Sequence, residues 1–275
     1  MHRLSSKIKA SGKSIGFVPT MGFLHEGHLS LVKKSKAKCD ITIASIFINP
    51  TQFSPNEDLA KYPRDIKRDK NLLTNAGVDF LFYPDVNEIY PNGFQTYVIV
   101  EDITKNLEGE FRPTHFRGVT TIVSILFNSV MPDNAFFGQK DAQQAAIIKQ
   151  MVKDLRLNLK IIICPIIREK DGLAMSSRNI YLSEKERKDA LVLNRSLRIA
   201  ERVIKEGEKN SEKIISRMKA EIISVDTSNI DYISIVNSET FEQVENILGR
   251  NNYYILIACR IGKTRLIDNI LITIP

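Results

Sequence analysis

The feature that most constrains the fold is an alternation, over the first 180 residues, of short β-branched runs with amphipathic stretches. Residues 41–48 are apolar almost throughout, as a strand buried on both faces of a parallel sheet requires. Strands are predicted at residues 14–18, 41–48, 79–83, 134–137 and 159–164. Helices are predicted at about residues 29–38, 64–76, 119–130 and 142–155. Strands that alternate with helices over short connections indicate a Rossmann-like, doubly wound parallel α/β sheet.

The pattern changes after Ser183, and this predicts a second domain that begins near residue 180. Two charged amphipathic helices are predicted, at residues 184–205 and 212–223. Ser183 and Ser211 are their expected N-caps. Three β-like runs follow, at residues 232–236, 253–258 and 265–272. We therefore expect a Rossmann-like domain over residues 1–178 and a smaller α+β domain, a candidate lid, over residues 179–275.

Composition excludes several other classes of protein. The chain is 43% hydrophobic and 26% charged, which excludes collagen-like, disordered and coiled-coil chains. Its apolar runs are far shorter than the roughly 18 residues that a membrane helix needs, and residues 1–13 lack the apolar core of a secretory signal. We expect a cytoplasmic protein with no membrane partner. Cys39, Cys164 and Cys259 lie far apart, so buried thiols are expected rather than disulfides or zinc ligands.

The charge balance favours a small anionic ligand. The net charge is +7, and most of the excess lies in residues 1–178, with 24 basic and 18 acidic side chains. A modest positive field suits anionic small molecules. A nucleic-acid-binding module, which the pI near 9.2 allows, is an alternative from another class of function. No basic stretch with interleaved aromatic residues supports it, so we expect no nucleic-acid partner.

The most informative motif is PTMGFLHEGH at residues 19–28, between the first predicted strand and the first predicted helix. His25 and His28 are separated by Gly27, which lets a ligand approach the backbone closely. A helix start has unpaired N–H groups and a positive dipole end, both of which favour phosphate. Two imidazoles there can donate hydrogen bonds to charge that develops on a phosphate. Helix capping, or half of a metal site, is the other interpretation of the pair.

Four further segments place polar residues next to predicted strand ends or a helix start, where doubly wound sheets bind ligands. They contain Asn49 and Gln52 after the second strand, Arg112, His115 and Arg117 in a basic loop, Gly138, Lys140, Asp141 and Gln144 before a helix, and Ser176, Ser177 and Arg178 after the last strand of the sheet. Lysine offers a point charge to phosphate, and hydroxyl groups next to an arginine can clamp one. Each segment is ambiguous by itself, because a solvated basic loop or a serine-rich linker contains the same residues.

Taken in order, PTMGFLHEGH, SIFINPTQF, YPRD, RPTHFRGV, FFGQKDAQQ and DGLAMSSRNIYL resemble segments of the pantothenate synthetase (pantoate–β-alanine ligase) family. The resemblance extends to RLIDN at residues 265–269 and so covers nearly the whole chain. The HxGH signature alone marks only the wider nucleotidyltransferase superfamily, which is related to class I aminoacyl-tRNA synthetases. SIFINPTQF and DGLAMSSRN are far more specific.

The resemblance implies an ATP-dependent ligase of pantothenate and coenzyme A biosynthesis. In this family the carboxylate of (R)-pantoate attacks the α-phosphate of ATP, which gives pantoyl adenylate and pyrophosphate. The amine of β-alanine then attacks the acyl carbon and releases AMP. The resemblance also implies Mg²⁺ accompanying ATP as co-substrate, and a homodimer.

The resemblance assigns catalysis and ATP binding to particular residues. His28 matches the proton donor, and His25 and Lys140 are assigned to catalysis with it. The residues assigned to ATP are Met21, Gly22, Phe23, Leu24, His25, Glu26, Gly27, His28, Gly138, Gln139, Lys140, Asp141, Ile167, Met175, Ser176, Ser177 and Arg178. Ile167 matches a main-chain contact to adenine, and residues 175–178 match a KMSKS-like loop that grips the phosphates.

The other substrates are assigned to amide side chains. Gln52 and Gln144 match the two residues that hold pantoate, and Gln52 is assigned to β-alanine as well. Neutral amides suit a carboxylate that must act as nucleophile, since a bidentate arginine would occupy its oxygens. Asn49 and Arg112 lie in matching segments and are further candidate site residues, with no substrate assigned to them.

One residue departs from the family pattern, and one ligand set is not assigned. The family commonly has glutamate where this chain has Gln139, so a negative charge near the phosphates is absent while hydrogen-bonding reach is kept. We expect binding to survive, although Gln139 supplies no negative charge that could orient Lys140. Side chains that contact magnesium are not assigned. Asp65 and Asp69 lie in the right region, and a solvated helix face explains them equally well.

A different enzyme class also fits the HxGH turn. A nucleotidylyltransferase would transfer AMP or CMP to a phosphorylated acceptor. Gln52 and Gln144 argue against it, because a phosphorylated acceptor needs more cationic groups at that end of the cleft.

Overall fold

The computed structural model describes residues 1–53 and 59–274, which form two units. The first unit contains residues 1–139 and 143–165, and the second contains residues 140–142 and those from 166 onward. Each unit has its own sheet and its own apolar core. The domain boundary expected after residue 178 stays a prediction.

A five-stranded parallel sheet forms the centre of the first unit. Its strands are β1 Ile15–Thr20, β2 Ile41–Ile46, β3 Phe80–Phe82, β4 Asn134–Gly138 and β5 Lys160–Cys164. They lie in the order β3-β2-β1-β4-β5, and each neighbouring pair is parallel. This topology confirms the predicted doubly wound sheet. The strand order reverses between β1 and β4, so the carboxyl ends of these strands flank the crevice in which such sheets bind ligands.

Helices cover both faces of this sheet. The helices along this part of the chain are α1 His2–Ala10, α2 Glu26–Lys36, α3 Ile66–Asn75, α4 Val86–Ile89, α5 Glu108–Phe111, α6 His115–Val130 and α7 Ala142–Asp154. Successive strand residues point to opposite faces. Phe17 and Ile43 lie in a cluster with the apolar side chains of α6, whereas Val18 and Ala44 lie in a cluster with those of α2. All four side chains are fully buried. Apolar side chains therefore lie on both faces of β2.

The predicted elements of the first unit are present with shifted ends. β2 ends at Ile46 rather than at residue 48, since Pro50, which has no N–H, opens a 3₁₀ turn over Pro50–Gln52. α6 begins at His115, so part of the predicted basic loop is helical. The sequence did not predict α1, α4 or α5. The last two contain four residues each, too few for a helical period to be recognised.

The second unit packs helices against an antiparallel sheet. Its helices are α8 Glu184–Asp189, α9 Leu191–Lys205 and α10 Ser211–Ile222, and its strands are β6 Ser228–Asn237, β7 Asn252–Ile261 and β8 Thr264–Thr273. The strands lie in the order β6-β7-β8, with both pairings antiparallel. Leu197 on α9, Met218 on α10 and Ile257 on β7 are buried in one cluster. This is the smaller α+β part that the sequence predicts.

The starts of two helices test the N-cap predictions. Ser183 caps α8 through a capping box with Glu186, as predicted. The prediction for Ser211 is wrong: Asn210 caps α10 and accepts a hydrogen bond from Lys213 N at 3.0 Å. Asparagine caps helices as well as serine does, so the pair at 210–211 offered two candidates. Ser211 is the first residue of the helix and is buried.

The three cysteines are buried free thiols, as predicted. Burial raises the pKa of Cys259 to about 11. Burial also raises the pKa values of Cys39 and Cys164. All three therefore stay protonated at neutral pH, which makes them poor nucleophiles.

Helix length bears on membrane insertion. Over residues 1–53 and 59–274, no helix has both the length and the apolar character that crossing a bilayer demands.

Candidate active site

The HxGH turn connects the carboxyl end of β1 to α2. His25 is the N-cap of α2, and its Nδ1 accepts a hydrogen bond from Gly27 N at 3.1 Å. His28 Nδ1 accepts one from His25 N at 3.2 Å, so the two residues form a capping box with ring centroids 4.2 Å apart. A neutral imidazole whose Nδ1 accepts carries its proton on Nε2. Each ring therefore caps the helix and also has an N–H donor.

This arrangement suits an anion. The first turn of a helix has N–H groups without intrahelical partners and a positive dipole end. His25 and His28 are half-buried and add imidazole donors to that end. Capping and phosphate binding, which the sequence left as alternatives, are therefore compatible. In the part of the chain that the structure describes, no group of three His, Cys, Asp or Glu side chains could hold a metal ion.

A buried carboxylate holds the turn that precedes the histidines. Asp69, on α3, is 1% exposed and accepts hydrogen bonds from Phe23 N at 2.6 Å and Leu24 N at 2.8 Å. Arg68 donates to Leu24 O at 2.9 Å and lies over the ring of Phe23. Phe23 has φ of +50°, a conformation that a bulky residue adopts only when its surroundings hold it there. Asp69 is thus not on a solvated helix face.

A second group of polar side chains follows β2. Asn49 is 1% exposed, and its Nδ2 donates to Gly118 O at 3.0 Å and to Gln52 Oε1 at 3.2 Å. Gln52 is also buried, and its Nε2 lies 2.8 Å from Met21 Sδ. The structure therefore brings together three residues that the sequence predicted for the site: Met21, Asn49 and Gln52.

Helix α6 comes very close to this turn at Gly118. A Cβ atom on Gly118 would lie 2.5 Å from Thr51 O and 2.6 Å from Gln52 N, well inside van der Waals contact. Both neighbours are backbone atoms and cannot rotate away. Only glycine lets α6 lie against the backbone that carries Gln52, which explains the glycine in RPTHFRG.

Two residues of the predicted basic loop, Arg112 and His115, are not solvated, whereas Arg117 is exposed. His115 is 7% exposed, with its Nδ1 3.0 Å from Gln52 O and its Nε2 3.1 Å from Arg112 Nη1. A carbonyl oxygen only accepts and a guanidinium only donates, so His115 is neutral with its proton on Nδ1. The Arg112 side chain is mostly buried and also lies 3.9 Å from the carboxylate of Glu108. Arg112 therefore supports the main chain of Gln52 through His115.

In the second unit, the RLIDN run on β8 holds the backbone of Lys140. Asn269 is 1% exposed, and its Nδ2 donates to Lys140 O at 2.9 Å. Asp268 is 2% exposed and accepts two hydrogen bonds from Arg168, at 2.6 and 2.9 Å. Asp268 also accepts one from Asn269 N at 2.8 Å. These buried polar residues fix the main chain of a residue predicted to bind phosphate.

The serine-rich segment that follows β5 along the chain is tied to its own unit. Met175 N donates to Ile167 O at 3.0 Å, so this carbonyl already has a partner. Ser176 caps the 3₁₀ turn Ser177–Tyr181 and accepts a hydrogen bond from Arg178 N at 3.2 Å. The segment predicted to grip phosphates thus begins a short helical turn.

Glu169 connects this segment to α8. Asn179 Nδ2 donates to Glu169 Oε1 at 2.8 Å, and Arg187, on α8, donates to Glu169 Oε2 at 2.6 Å. Arg187 also lies 2.8 Å from Asp171 and lowers the pKa of that carboxyl by hydrogen bonding. Asp171 and Asn179, at the two ends of the segment, are therefore both held by the ion pair of Arg187 with Glu169.

A model of the family described as pantoate-beta-alanine ligase matches residues 1–271. The chain belongs to the pantoate–β-alanine ligase family. It is 56% identical over 272 residues to the pantothenate synthetase of Caldicellulosiruptor bescii, covering 99% of this chain and 96% of that one. It is also 56% identical over 266 residues to that of Acetivibrio thermocellus, covering 97% and 94%. The enzyme is therefore a ligase that joins pantoate to β-alanine.

Solved structures from the family agree with the fold. A pantothenate synthetase from Thermus thermophilus superposes with a TM-score of 0.91 at 42% identity, over 97% of this chain and 96% of that one. A pantoate–β-alanine ligase from Francisella tularensis, in complex with beta-gamma ATP and beta-alanine, superposes with a TM-score of 0.78 at 37% identity, over 98% and 95%. The predicted family, fold class and reaction are thus confirmed.

The residues that the family pattern assigns are divided between the two units. The first unit contains residues 21–28, Asn49, Gln52, Arg112, Gly138, Gln139 and Gln144, and the second contains Lys140, Asp141, Ile167 and residues 175–178. Gln144 is half-buried on the first turn of α7. The roles assigned to these side chains stay predictions.

The sequence analysis missed the structural role of Asp69, which it named only as lying near the magnesium region, and it missed Tyr90 altogether. Asp69 occupies the apolar stripe of α3, since Ile66 and Leu73 precede and follow it at helical spacing. A single acidic residue on the apolar stripe of a helix indicates a buried carboxylate, and a buried carboxylate needs hydrogen-bond partners. Tyr90, whose hydroxyl meets Asn49 at 2.7 Å, gave no such signal.

Proposed function

We propose that the chain makes pantothenate in two steps, with ATP as co-substrate and pantoyl adenylate as intermediate. An ordinary carboxylate resists attack by amines, whereas AMP is a good leaving group. The capping box of His25 and His28 carries the proposal, because it gives a helix start at the carboxyl end of β1 two further donors for phosphate. The Francisella tularensis relative, which binds beta-gamma ATP and beta-alanine, supports the choice of substrates.

In the first step, His25 and His28 are proposed to donate hydrogen bonds to the ATP phosphates as negative charge develops on them. Lys140 would contribute its ammonium group to the same charge, with its backbone held by Asn269. Residues 21–28, 138–141 and 175–178, together with Ile167, make up the proposed ATP-binding set. Gln139 would act by hydrogen bonding in place of the usual glutamate.

Gln52 and Gln144 are proposed to hold pantoate, and Gln52 also β-alanine. The amide nitrogen of Gln52 points away from Asn49, whose Nδ2 occupies the space next to Gln52 Oε1. An amide N–H can bind a carboxylate without neutralising it, so the pantoate oxygen stays nucleophilic. Asn49 and Arg112 are proposed to support Gln52 from within the protein.

Magnesium is proposed to arrive with ATP. Magnesium keeps several waters and is usually held by one or two carboxylates and the substrate phosphates. Asp69 fits poorly as a ligand, since it is 1% exposed and both its oxygens already accept backbone hydrogen bonds. The exposed Asp141 fits better. When bound, the ion would offset phosphate charge. The resemblance also suggests a cytoplasmic homodimer, which we include in the proposal.

Exchange of pyrophosphate into ATP tests the two-step reaction. With pantoate and magnesium present, the enzyme should incorporate labelled pyrophosphate into ATP even without β-alanine, because adenylate formation is reversible. Omission of pantoate is the control and should abolish exchange. If saturating pantoate gives no exchange, there is no adenylate intermediate. A nucleotide-capped product in place of free AMP would favour a nucleotidylyltransferase instead.

Changing Gln52 to alanine should weaken the capture of pantoate. The substitution removes the amide N–H, and we expect the KM for pantoate in the exchange assay to rise by about 10- to 150-fold, the worth of one hydrogen bond to a charged group. The KM for ATP should change little. Gln150→Ala, which removes an exposed pair with Asp154 on α7, is the matched control. An unchanged KM for pantoate would remove Gln52 from the pantoate site.

A further inference from the structure

A tyrosine hydroxyl completes the hydrogen bonding around Gln52. Tyr90 directly follows α4, and its hydroxyl donates to Asn49 Oδ1 at 2.7 Å. The same hydroxyl lies 3.2 Å from Thr51 Oγ1, which donates to Asn49 Oδ1 at 3.0 Å. Burial raises the pKa of the Tyr90 phenol, so it remains a protonated donor through neutral pH.

The partners of Asn49 determine which way its amide faces. Gly118 O can only accept, so the Asn49 atom 3.0 Å from it must be Nδ2. Oδ1 then faces the hydroxyls of Tyr90 and Thr51, which supply one donor to each of its two lone pairs. The four hydrogen-bonding positions of the Asn49 side chain are therefore filled by protein atoms.

The orientation of Asn49 in turn sets that of Gln52. The second hydrogen of Asn49 Nδ2 needs an acceptor, and the Gln52 atom 3.2 Å away is therefore Oε1. Gln52 Nε2 then faces away, toward Met21 Sδ, which is only a weak acceptor. A reversed Gln52 amide would present oxygen instead of N–H, and oxygen repels a carboxylate.

We propose that Tyr90 is a positioning residue for pantoate, which acts through Asn49 to hold the Gln52 amide with its nitrogen toward the substrate. The inference rests on the proposed role of Gln52 in binding pantoate. Tyr90 touches no reacting atom in this scheme. Its contribution is to keep Asn49 Oδ1 fully bonded, so that Asn49 neither turns nor moves away from Gln52.

Tyr90→Phe is a sharp test because it removes one oxygen and keeps the ring. The Tyr90 ring packs near Phe47 and Phe94, with centroids at 6.3 and 4.9 Å, and these contacts survive in the variant. We expect the KM for pantoate in the exchange assay to rise about three- to tenfold, as for loss of one neutral hydrogen bond. The KM for ATP should stay unchanged. Tyr83→Phe, at an exposed tyrosine, is the matched control.

A double-mutant cycle separates positioning from general packing. If Tyr90 acts through Gln52, Tyr90→Phe should add nothing to the KM for pantoate of Gln52→Ala, because the group it positions is already absent. An equal rise in both backgrounds, or no rise in the wild-type background, would overturn the inference. An unchanged KM for pantoate in Gln52→Ala would instead remove the proposed role of Gln52, and with it this inference.

A second variant tests the same hydrogen bonds around Asn49 and leaves Tyr90 unchanged. Thr51→Val removes the other donor to Asn49 Oδ1 at nearly constant volume. It should raise the KM for pantoate selectively and, like Tyr90→Phe, have no effect on it in the Gln52→Ala background. A rise in the KM for ATP of equal size in both variants would show a general disturbance of the site and contradict the proposal. Thermal unfolding of each variant identifies any that fail to fold, in which case the remaining variant decides.

Discussion

Replacing His28 with alanine is expected to slow pantoate-dependent pyrophosphate exchange by about 10²–10³, as the loss of one transition-state donor does. His28 Nδ1 accepts from His25 N, so the neutral ring carries its proton on Nε2. In the proposed reaction, a hydrogen bond from this nitrogen would strengthen as charge develops on the phosphates, so the loss should fall on kcat more than on the KM for ATP. Single-turnover formation of the adenylate from labelled ATP measures it directly.

A second substitution separates this chemistry from helix capping. His28→Ala also removes the acceptor for His25 N, so part of its effect could come from a disturbed helix start. His28→Glu restores an acceptor at the third helical position, as in a usual capping box, and supplies no donor. We expect it to unfold at the wild-type temperature and to be at least as slow as His28→Ala. Recovery of wild-type exchange in His28→Glu would show that capping alone explains the histidine.

The fold could be predicted largely because each local pattern agrees with the sheet. The apolar run at 41–48 required burial on both faces, and Ile43 and Ala44 indeed face opposite clusters. The predictions of secondary structure failed where an element is very short or where two neighbouring residues suit the same position equally well. α4 and α5 are one turn long, and the pair Asn210–Ser211 offered two caps for one helix. Such choices depend on tertiary packing, which the local sequence does not contain.

From the sequence, the candidate site could be described as motifs but not as hydrogen bonds. HxGH and SIFINPTQF predicted two of its segments, and the structure brings Met21, Asn49 and Gln52 of these segments into contact. The hydrogen bonds that lead from Tyr90 through Asn49 to Gln52 begin at a hydroxyl 41 residues from Asn49 along the chain. No spacing rule predicts a contact of this kind. The orientation of an amide is likewise set by its neighbours. Gly118 O fixes that of Asn49, and nothing in the sequence identifies this partner.

Changing Asp69 to asparagine should weaken both the fold and the reaction. The substitution keeps the shape of the side chain but turns one acceptor oxygen into an NH₂ group, so either Phe23 N or Leu24 N loses its partner in a buried place. Hydrogen bonds to charged groups contribute about 1.5–3 kcal/mol, and we expect the free energy of unfolding in urea to fall by that amount. Because this turn positions His25 and His28, exchange should slow by about 10- to 150-fold if the same free energy is lost from the transition state.

Asp65→Asn provides the matched control on the same helix, with the same change of charge. Asp65 is exposed and caps α3 by accepting from Arg68 N at 3.0 Å, a role that asparagine fills equally well. Its stability should stay within about 0.5 kcal/mol of wild type, with normal exchange. Wild-type stability in Asp69→Asn would contradict the claim that this carboxylate holds the turn. If exchange were then slow and recovered at raised magnesium, Asp69 would act on the metal ion rather than on the backbone of the turn.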